Sequence, residues 1–323
     1  MKAVLCPAFG QDLVVADFPA PAMTDAGVRI AIHAAGVNFA DSLITGGKYQ
    51  EKMDPPFVPG MELSGVVTEV AAGVTTCKPG DRVMATVTGG AFAEEAVCDQ
   101  TDVYVLPDTL DFVTAAGFPV AYGTSHLGLI KAGLKAGETL VVHGAAGGVG
   151  LTAVEVGKAL GATVIGTAGG PDKVKVALEH GADFGIDYKS EDIRDRVKEL
   201  TGGKGADVIY DPVGGTVFEA SLRCIAPDGR ILVIGFASGT VPQIPANILL
   251  VKNVTVIGYY WGAYRKINPA QVRQSMQEAL DWWAAGKLSP HVSKVMRLDQ
   301  AAEAIALLKG RAATGKIVLT TGR

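Results

Sequence analysis

Between residues 139 and 258, short apolar runs alternate with longer segments of helical periodicity. The apolar runs predict strands at residues 139–143, 163–167, 184–186, 207–211, 230–235 and 254–258. The intervening segments predict helices at residues 151–160, 171–179, 190–200 and 216–224. Strands that alternate with helices in this way predict a parallel, doubly wound α/β sheet. A ligand of such a sheet binds at the carboxyl ends of the strands, where the strand order reverses.

The flanking residues have a different pattern. Short apolar alternations broken by Gly and Pro predict an irregular antiparallel β-domain, with strands at residues 28–32, 65–70, 81–85, 93–97 and 103–106. After the sheet, the sequence predicts amphipathic helices at 268–286 and 298–309 and a last strand at 316–320. We expect this tail to pack on the first domain. The expected domains are therefore residues 1–122 with 263–323, and residues 123–262.

The first strand of the predicted sheet leads into a glycine-rich turn. Ala145, Gly147 and Gly150 occupy the three positions of the dinucleotide-binding fingerprint of Rossmann sheets. The phosphates would bind the free N–H groups of the helix that begins near Gly150. A glycine-rich turn alone also occurs in ordinary strand-to-helix connections, but the series of strands around it favours a nucleotide site.

The end of the second predicted strand indicates which dinucleotide binds. An acidic residue is expected there to bind the ribose hydroxyl of NAD, but residues 165–170 read I-G-T-A-G-G. The missing carboxylate leaves room for the 2′-phosphate of NADPH. Lys173 is a candidate counter-charge, although it fits a solvated helix residue equally well.

Composition and charge disfavour several classes of function. The net charge of −4 and the absence of Lys/Arg runs interleaved with aromatics disfavour nucleic-acid binding. The N-terminal residues lack the pattern of a secretory signal, and no apolar run is long enough for a membrane span. The four cysteines are far apart, as expected of reduced thiols. We therefore expect a cytoplasmic protein.

Six motifs occur in the order and spacing of a known superfamily. They read G-V-N-F-A-D (36–41), G-G-K-Y (46–49), P-G-M-E-L-S-G-V-V (59–67), G-D-R-V (80–83), A-A-G-G-V-G (145–150) and G-K-I-V-L (315–319). From end to end the chain resembles the medium-chain dehydrogenase/reductase superfamily, most closely its zinc-free quinone oxidoreductase branch, which includes zeta-crystallin. The resemblance implies a GroES-like catalytic domain, a Rossmann domain, NADPH between them, and a homodimer that pairs through residues 254–260.

The same resemblance implies that this chain holds no metal. Zinc-dependent relatives carry Cys and His where this chain has Asn38 and Met61. Glu62 alone cannot hold a catalytic zinc, which needs three protein ligands. The stretch comparable to the structural zinc lobe contains only Cys98.

By the family's pattern, two residues face the nicotinamide and the substrate. Asn38 and Tyr49 could each donate a hydrogen bond to a substrate oxygen as negative charge builds on it. A turn-stabilising asparagine and a packed tyrosine are equally good interpretations.

The remaining candidates are cofactor-binding residues. Thr124 lies where the family contacts the cofactor, a role compatible with a helix N-cap. Lys173 and Tyr188 match the 2′-phosphate side, although Tyr188 fits a core aromatic equally well, and Arg311 fits either a contact to NADPH or an exposed helix end. The pyrophosphate and nicotinamide are assigned to the backbone of Ala145, Ala146, Gly147, Gly148, Val149 and Gly150 and of Phe236, Ala237 and Ser238.

The resulting interpretation is an NADPH-dependent quinone reductase. Without a metal to polarise the substrate, an acceptor that takes up hydride readily is favoured. One alternative is reduction of an activated C=C bond in an enone or an enoyl or acryloyl thioester, with Tyr49 as proton donor. Another is a non-catalytic NADPH-binding structural or RNA-binding protein, the latter disfavoured by the acidic pI of about 5.8.

Overall fold

A computed structural model describes residues 1–323, which divide into two units. Unit 1 comprises Met1–Val120 and Pro290–Arg323, and unit 2 comprises Ala121–Ser289. The sequence placed residues 263–289 with the first domain, whereas they pack within unit 2.

The first segment of unit 1 is mostly β-structure. Its elements are β1 (Lys2–Leu5), β2 (Val14–Asp17), β3 (Gly27–Val37), α1 (Phe39–Thr45), β4 (Glu62–Val70), β5 (Arg82–Thr86), β6 (Glu95–Asp99), β7 (Val103–Val105) and α2 (Phe112–Ala116). All five strands predicted for this segment are present, with boundaries shifted by up to five residues. The pair β1 and β2 and both short helices were not predicted.

Unit 2 is built on a parallel sheet. Its elements, with the helix that leads into it, are α3 (Pro119–Lys131), β8 (Thr139–His143), α4 (Gly148–Ala159), β9 (Thr163–Ala168), α5 (Pro171–Glu179), β10 (Phe184–Asp187), α6 (Ile193–Leu200), β11 (Ala206–Asp211), α7 (Thr216–Cys224), β12 (Ile225–Val233), α8 (Ala246–Lys252), β13 (Thr255–Gly258), α9 (Trp261–Ile267) and α10 (Pro269–Ala284).

The sheet order confirms the doubly wound prediction. The six strands lie in the order β10-β9-β8-β11-β12-β13, and every pairing is parallel. The strand order therefore reverses between β8 and β11, so a ligand site is expected where these two strands end. The sheet interior is apolar, with Val141, Ile165 and Ile209 fully buried or nearly so.

Residues 290–323 complete the sheet of unit 1. They form β14 (Val292–Arg297), α11 (Ala301–Lys309) and β15 (Lys316–Thr320). The larger sheet of the unit has the order β14-β15-β3-β4-β5-β7, and β6 also pairs with β3. Because β15 lies antiparallel to β3, Ile317 faces Val37, and Lys316 comes close to the end of β3.

Helix α10 shows why the sequence boundary at residue 263 was wrong. Its buried face includes Val272 and Met276, and its Ser275 Oγ lies 2.8 Å from Nδ1 of His126 in α3. The ring of Trp282 packs edge-on against His126, with centroids 4.7 Å apart. Amphipathic periodicity identified this helix but did not indicate which domain its apolar face contacts.

Strand β13 forms one edge of the parallel sheet. Leu250 and Val251 on the preceding helix α8 are 78% and 80% exposed. Pairing of two copies through this edge stays a prediction. None of the helices combines the length and the apolar composition needed to span a bilayer.

Candidate functional site

The turn after β8 leads into α4 without a side-chain cap. Gly147 is the N-cap residue, and the first helical bond runs from Leu151 N–H to the Gly147 carbonyl at 2.8 Å. The N–H groups of residues 148–150 therefore have no acceptor within the helix. The helix begins at Gly148, three residues earlier than predicted, so three of the six predicted pyrophosphate residues, 148–150, supply its first turn. Uncapped donors at the positive end of a helix form a site for an anion.

Close packing between this turn and α4 requires glycine at position 150. A Cβ there would lie 2.1 Å from the carbonyl oxygen of Gly144 and 3.0 Å from Cα of Ala145. The N–H of Ala145 donates to the Thr167 carbonyl of β9 at 2.9 Å, which fixes the turn to the neighbouring strand. Glycine at the third fingerprint position thus allows the close approach of α4 to the turn.

Helix α3 fixes the first turn of α4 through a residue that the sequence analysis missed. Ser125 Oγ donates to the Val149 carbonyl at 2.9 Å and lies 2.8 Å from Thr152 Oγ1. Thr124, the predicted contact, is buried in the interior of α3 and is not a helix N-cap. No motif or spacing in the sequence indicated that Ser125 would contact the first turn of α4.

Two of the candidate 2′-phosphate residues lie near the end of β9. The Tyr188 N–H donates to the Ala168 carbonyl at 3.1 Å, and a Cβ on Gly169 would meet the Tyr188 hydroxyl at 2.7 Å. Lys173 is in the first turn of α5, whose N-cap is Gly170.

Lys189 and Asp187 also lie beside the turn between β9 and α5, and neither was predicted to contribute to the site. Lys189 Nζ lies 3.9 Å from the position of a Cβ on Gly170. Asp187 Oδ1 accepts the N–H of Gly170 at 2.8 Å and that of Lys189 at 3.0 Å, and these backbone bonds lower the pKa of the carboxyl. A carboxylate is therefore present beside the turn after β9, but it is contributed by β10.

The predicted nicotinamide residues follow β12 and are bonded to the loop after β11. The N–H of Ala237 donates to the Pro212 carbonyl at 3.0 Å, and that of Ser238 to the Val213 carbonyl at 2.9 Å. Phe236 is 38% exposed. The loops after these two strands thus form one backbone-bonded surface at the carboxyl edge of the sheet.

Asp211, the last residue of β11, organises that surface and was not predicted. Its Oδ1 accepts the N–H groups of Val213 at 2.7 Å and Gly214 at 2.9 Å. Its Oδ2 is buried and has no hydrogen-bond partner. A buried acceptor at the point where the strand order reverses is available to a bound ligand.

In unit 1, Asn38 is part of a buried polar network. Its Nδ2 donates to Glu62 Oε1 at 2.8 Å, and its Oδ1 accepts from Lys316 Nζ at 2.7 Å. Lys316 Nζ also donates to Glu62 Oε1 at 2.7 Å and to the Val37 carbonyl at 3.0 Å. Asn38 directly follows β3, Glu62 begins β4 and Lys316 begins β15, so three neighbouring strands bring the network together.

Backbone groups surround the carboxylate of Glu62 closely. Glu62 is fully buried, and its Oε2 accepts the N–H of Val120 at 2.8 Å. A Cβ on Gly36 would clash with Glu62 Oε1 and with the Ala116 carbonyl oxygen, so glycine is required in the G-V-N motif. Both oxygens of Glu62 are thus engaged by hydrogen-bond donors.

Asp41 is a second buried carboxyl near this network. Its Oδ2 accepts the backbone N–H of Asn38 at 2.7 Å, and its Oδ1 is buried. Burial raises the pKa of Asp41 to about 7, against the opposing effects of the Asn38 N–H and the Lys316 charge. Asp41 is therefore protonated in the folded state at pH values where the unfolded chain would ionise it.

Asp41→Asn should change the pH dependence of stability. The folded pKa lies above the unfolded value of 3.8. The contribution of Asp41 is therefore greatest below pH 4 and is lost as the pH rises to about 7. From pH 5 to pH 8 the wild-type protein should lose about 2–3 kcal/mol of stability relative to Asp41→Asn, measured by urea unfolding. Parallel curves for the two proteins would contradict the raised pKa.

Tyr49 and Arg311, the remaining candidates, lie elsewhere in unit 1. Tyr49 follows α1 and packs against Cys6, Ile44 and Phe57. Between Asn38 and Tyr49 lie the seven residues of α1, about 10 Å of helix axis, and three further residues. Arg311 is exposed in the turn after α11 and has a positive φ of 54°. The structure thus places Asn38 at the N-cap of α1 and Tyr49 four residues beyond the last residue of that helix.

Comparison with known proteins identifies the family of both parts of the chain. Residues 24–108 match the family model of the alcohol dehydrogenase GroES-like domain, and residues 148–285 match that of zinc-binding dehydrogenases. A quinone oxidoreductase-like protein 2 homolog of Nematostella vectensis is 46% identical over 99% of this chain and 89% of its own length. This chain belongs to the medium-chain dehydrogenase/reductase superfamily, in its quinone oxidoreductase-like branch.

Two further relatives support the same assignment over the whole chain. Quinone oxidoreductase of Homo sapiens is 33% identical over 99% of this chain and 97% of its own length. The crystal structure of Escherichia coli quinone oxidoreductase complexed with NADPH superposes with a TM-score of 0.93 at 31% identity, covering 99% of this chain and all of that one. The predicted superfamily and the GroES-like and Rossmann folds are therefore confirmed, and the chain is an oxidoreductase of this superfamily.

Proposed function

We propose that this oxidoreductase is an NADPH-dependent quinone reductase. The observation that carries the proposal is the uncapped N-terminus of α4, which lies where the strand order reverses and presents three N–H groups without helical acceptors. The E. coli quinone oxidoreductase that superposes on this chain was crystallised with NADPH.

The residues present in unit 2 fit a nicotinamide dinucleotide. A Cβ at Gly150 would collide with the Gly144 backbone, so glycine there keeps the first turn of α4 close to the preceding turn. The N–H groups of residues 148–150 would bind the pyrophosphate, and the Phe236–Ser238 backbone would bind the nicotinamide end. When bound, the reduced cofactor supplies a hydride from its nicotinamide C4.

The corner formed by Lys173, Tyr188 and Lys189 supports NADPH over NADH. Two ammonium groups and a phenol are suited to a 2′-phosphate, because a phosphate accepts charge-assisted hydrogen bonds. Asp187 opposes this preference, although two backbone N–H groups bind its Oδ1.

Lys173→Ala should weaken NADPH binding by roughly 10- to 100-fold, because a hydrogen bond to a charged group contributes about 1.5–3 kcal/mol. The affinity for NADH, which lacks the 2′-phosphate, should change little. Lys175→Ala is the matched control, since Lys175 is on the same helix and its Nζ lies 3.8 Å from Glu179 Oε1. Titration of both variants with both cofactors is the measurement. Equal losses for NADPH and NADH would count against the 2′-phosphate assignment.

The residues of unit 1 do not fit a catalytic zinc, although one matching family model is that of zinc-binding dehydrogenases. Asn38 and Met61 stand where zinc-dependent relatives carry Cys and His. Glu62 Oε1 accepts from both Asn38 and Lys316, so the carboxylate is already engaged by a cation. No group of three or more His, Cys, Asp or Glu is placed to hold a metal ion.

The proposed reaction converts NADPH, a quinone and a proton into NADP⁺ and a hydroquinone. Hydride transfer leaves negative charge on a quinone oxygen, which an N–H of Asn38 would stabilise. The proton that completes the hydroquinone can come from water, because oxygen exchanges protons with solvent directly. For an activated alkene, in contrast, a carbon atom must be protonated, and a positioned acid is then needed.

Tyr49→Phe distinguishes these two acceptor classes, because it removes the phenol and keeps the aromatic ring. With a quinone we expect less than about a tenfold loss of kcat, whereas loss of a required acid typically costs ~10²- to 10⁴-fold. The measurement is kcat with the best quinone and the best enone, at unchanged NADPH affinity. A hundredfold loss with the best quinone would favour a double-bond reductase.

A further inference from the structure

The network around Asn38 allows only one orientation of its amide. Oδ1 accepts from the ammonium of Lys316, and Nδ2 donates to the carboxylate of Glu62. A flipped amide would place its NH₂ group against the ammonium and its oxygen against the carboxylate. A primary amide has two N–H donors. One N–H of Asn38 is used by Glu62, so one N–H remains for a bound ligand.

Stability alone does not explain why the Lys316–Glu62 ion pair is buried. The Lys316 side chain is 8% exposed and that of Glu62 is fully buried. Desolvating two charges is expensive, and well-packed apolar residues of similar volume are often as stable or more stable. All three N–H groups of Lys316 have acceptors, namely Val37 O, Asn38 Oδ1 and Glu62 Oε1. Because each N–H has an acceptor, the ammonium is held in a fixed position, and Asn38 Oδ1 is held with it.

We propose that Lys316 and Glu62 are positioning residues that fix the Asn38 amide so that its remaining Nδ2–H meets the carbonyl oxygen of the hydride acceptor. A donor already oriented before the reaction does not have to reorganise when negative charge develops, and this preorganisation is the source of its catalytic effect. The proposal assigns Lys316 no direct contact with substrate. It predicts that the effect of Lys316 on the rate depends on the presence of Asn38.

This inference rests on the proposed hydride transfer but not on a quinone as the acceptor. Hydride addition to an enone or an enoyl thioester also places negative charge on a carbonyl oxygen. The experiment therefore uses whichever of a quinone, an enone and an acyl thioester gives the highest kcat/KM. If a quinone is not the best acceptor, the proposed function is refuted. The same variants, measured with the best acceptor, still decide the positioning role.

The kinetic test is a cycle between Lys316→Met/Glu62→Gln and Asn38→Ala. The paired substitution removes both charges together, so no unpaired ion remains buried. It should lower kcat by roughly 10- to 100-fold, less than the ~10²- to 10³-fold cost of losing one oxyanion donor outright, because the amide is released but still present, and NADPH affinity should be unchanged. In the Asn38→Ala background the same pair should lower kcat by less than about threefold. Equal losses in both backgrounds would show that the pair acts independently of Asn38 and would overturn the proposal.

A second measurement needs no substrate. The Asn38 side-chain NH₂ signals, identified by their absence in Asn38→Ala, should exchange slowly with solvent in the wild-type protein. They should exchange at least about tenfold faster in Lys316→Met/Glu62→Gln, because an unheld amide opens more often. Equal exchange rates would show that the pair does not hold the amide and would overturn the proposal even if no acceptor is turned over.

Discussion

Gly150→Ala is expected to weaken NADPH binding by at least roughly 100-fold. The added Cβ would lie 2.1 Å from the Gly144 carbonyl oxygen and 2.8 Å from its carbon, and neither backbone atom can move by a rotamer change. The start of α4 must therefore shift away from the turn, which displaces the N–H groups proposed to bind the pyrophosphate. Hydrogen bonds to a charged group contribute about 1.5–3 kcal/mol each, so losing two accounts for the expected change.

Gly157→Ala is the control for damage to helix packing. Gly157 is in the same helix but far from the turn, and its added Cβ would meet the Leu140 side chain at 2.5 Å. This variant should lose stability and keep most of its NADPH affinity, measured by calorimetric titration of the folded protein. Undiminished affinity in Gly150→Ala would mean that the pyrophosphate does not bind at this turn.

Lys316→Met is expected to destabilise the protein by about 3–5 kcal/mol, the usual cost of leaving a buried charge without its partner. The ammonium lies 2.7 Å from Glu62 Oε1, and no other cation is bonded to that carboxylate. Adding Glu62→Gln should recover most of the loss, because the uncompensated charge is then absent. Urea unfolding of the single and paired variants measures both effects.

A surface ion pair supplies the comparison for this substitution. Lys2 Nζ lies 2.8 Å from Asp17 Oδ2, but the two side chains are 56% and 78% exposed. Because water screens such a pair, Lys2→Met should change stability far less than Lys316→Met. Similar losses in the two variants, or no recovery on adding Glu62→Gln, would contradict a buried ion pair at Glu62.

The sequence predicted the parts of the fold that repeat a local pattern. Strand-helix alternation identified all six strands of the parallel sheet, and the glycine turn identified the start of α4 to within three residues. Short elements such as α1 and β14 were missed, because one or two turns of helix and an exposed edge strand have too few apolar positions to show a period.

The candidate site was harder to predict because its residues are distant in sequence. Lys316 is 278 residues from Asn38 and 254 from Glu62, and only the pairing of β15 with β3 brings them together. Similarly, Asp187 lies opposite Ala168 through the pairing of β10 with β9. The expected acid at the end of the second strand is replaced by a carboxylate at the end of the third strand, which the sequence of the second strand cannot indicate.

The central claim is that the chain reduces quinones with NADPH. The most direct test is to follow NADPH and NADH oxidation by the purified protein with matched panels of quinones, enones and acyl thioesters. We predict the highest kcat/KM for a quinone, and a higher value with NADPH than with NADH. A higher value for an alkene substrate or for NADH, or no oxidation with any acceptor, would contradict the account.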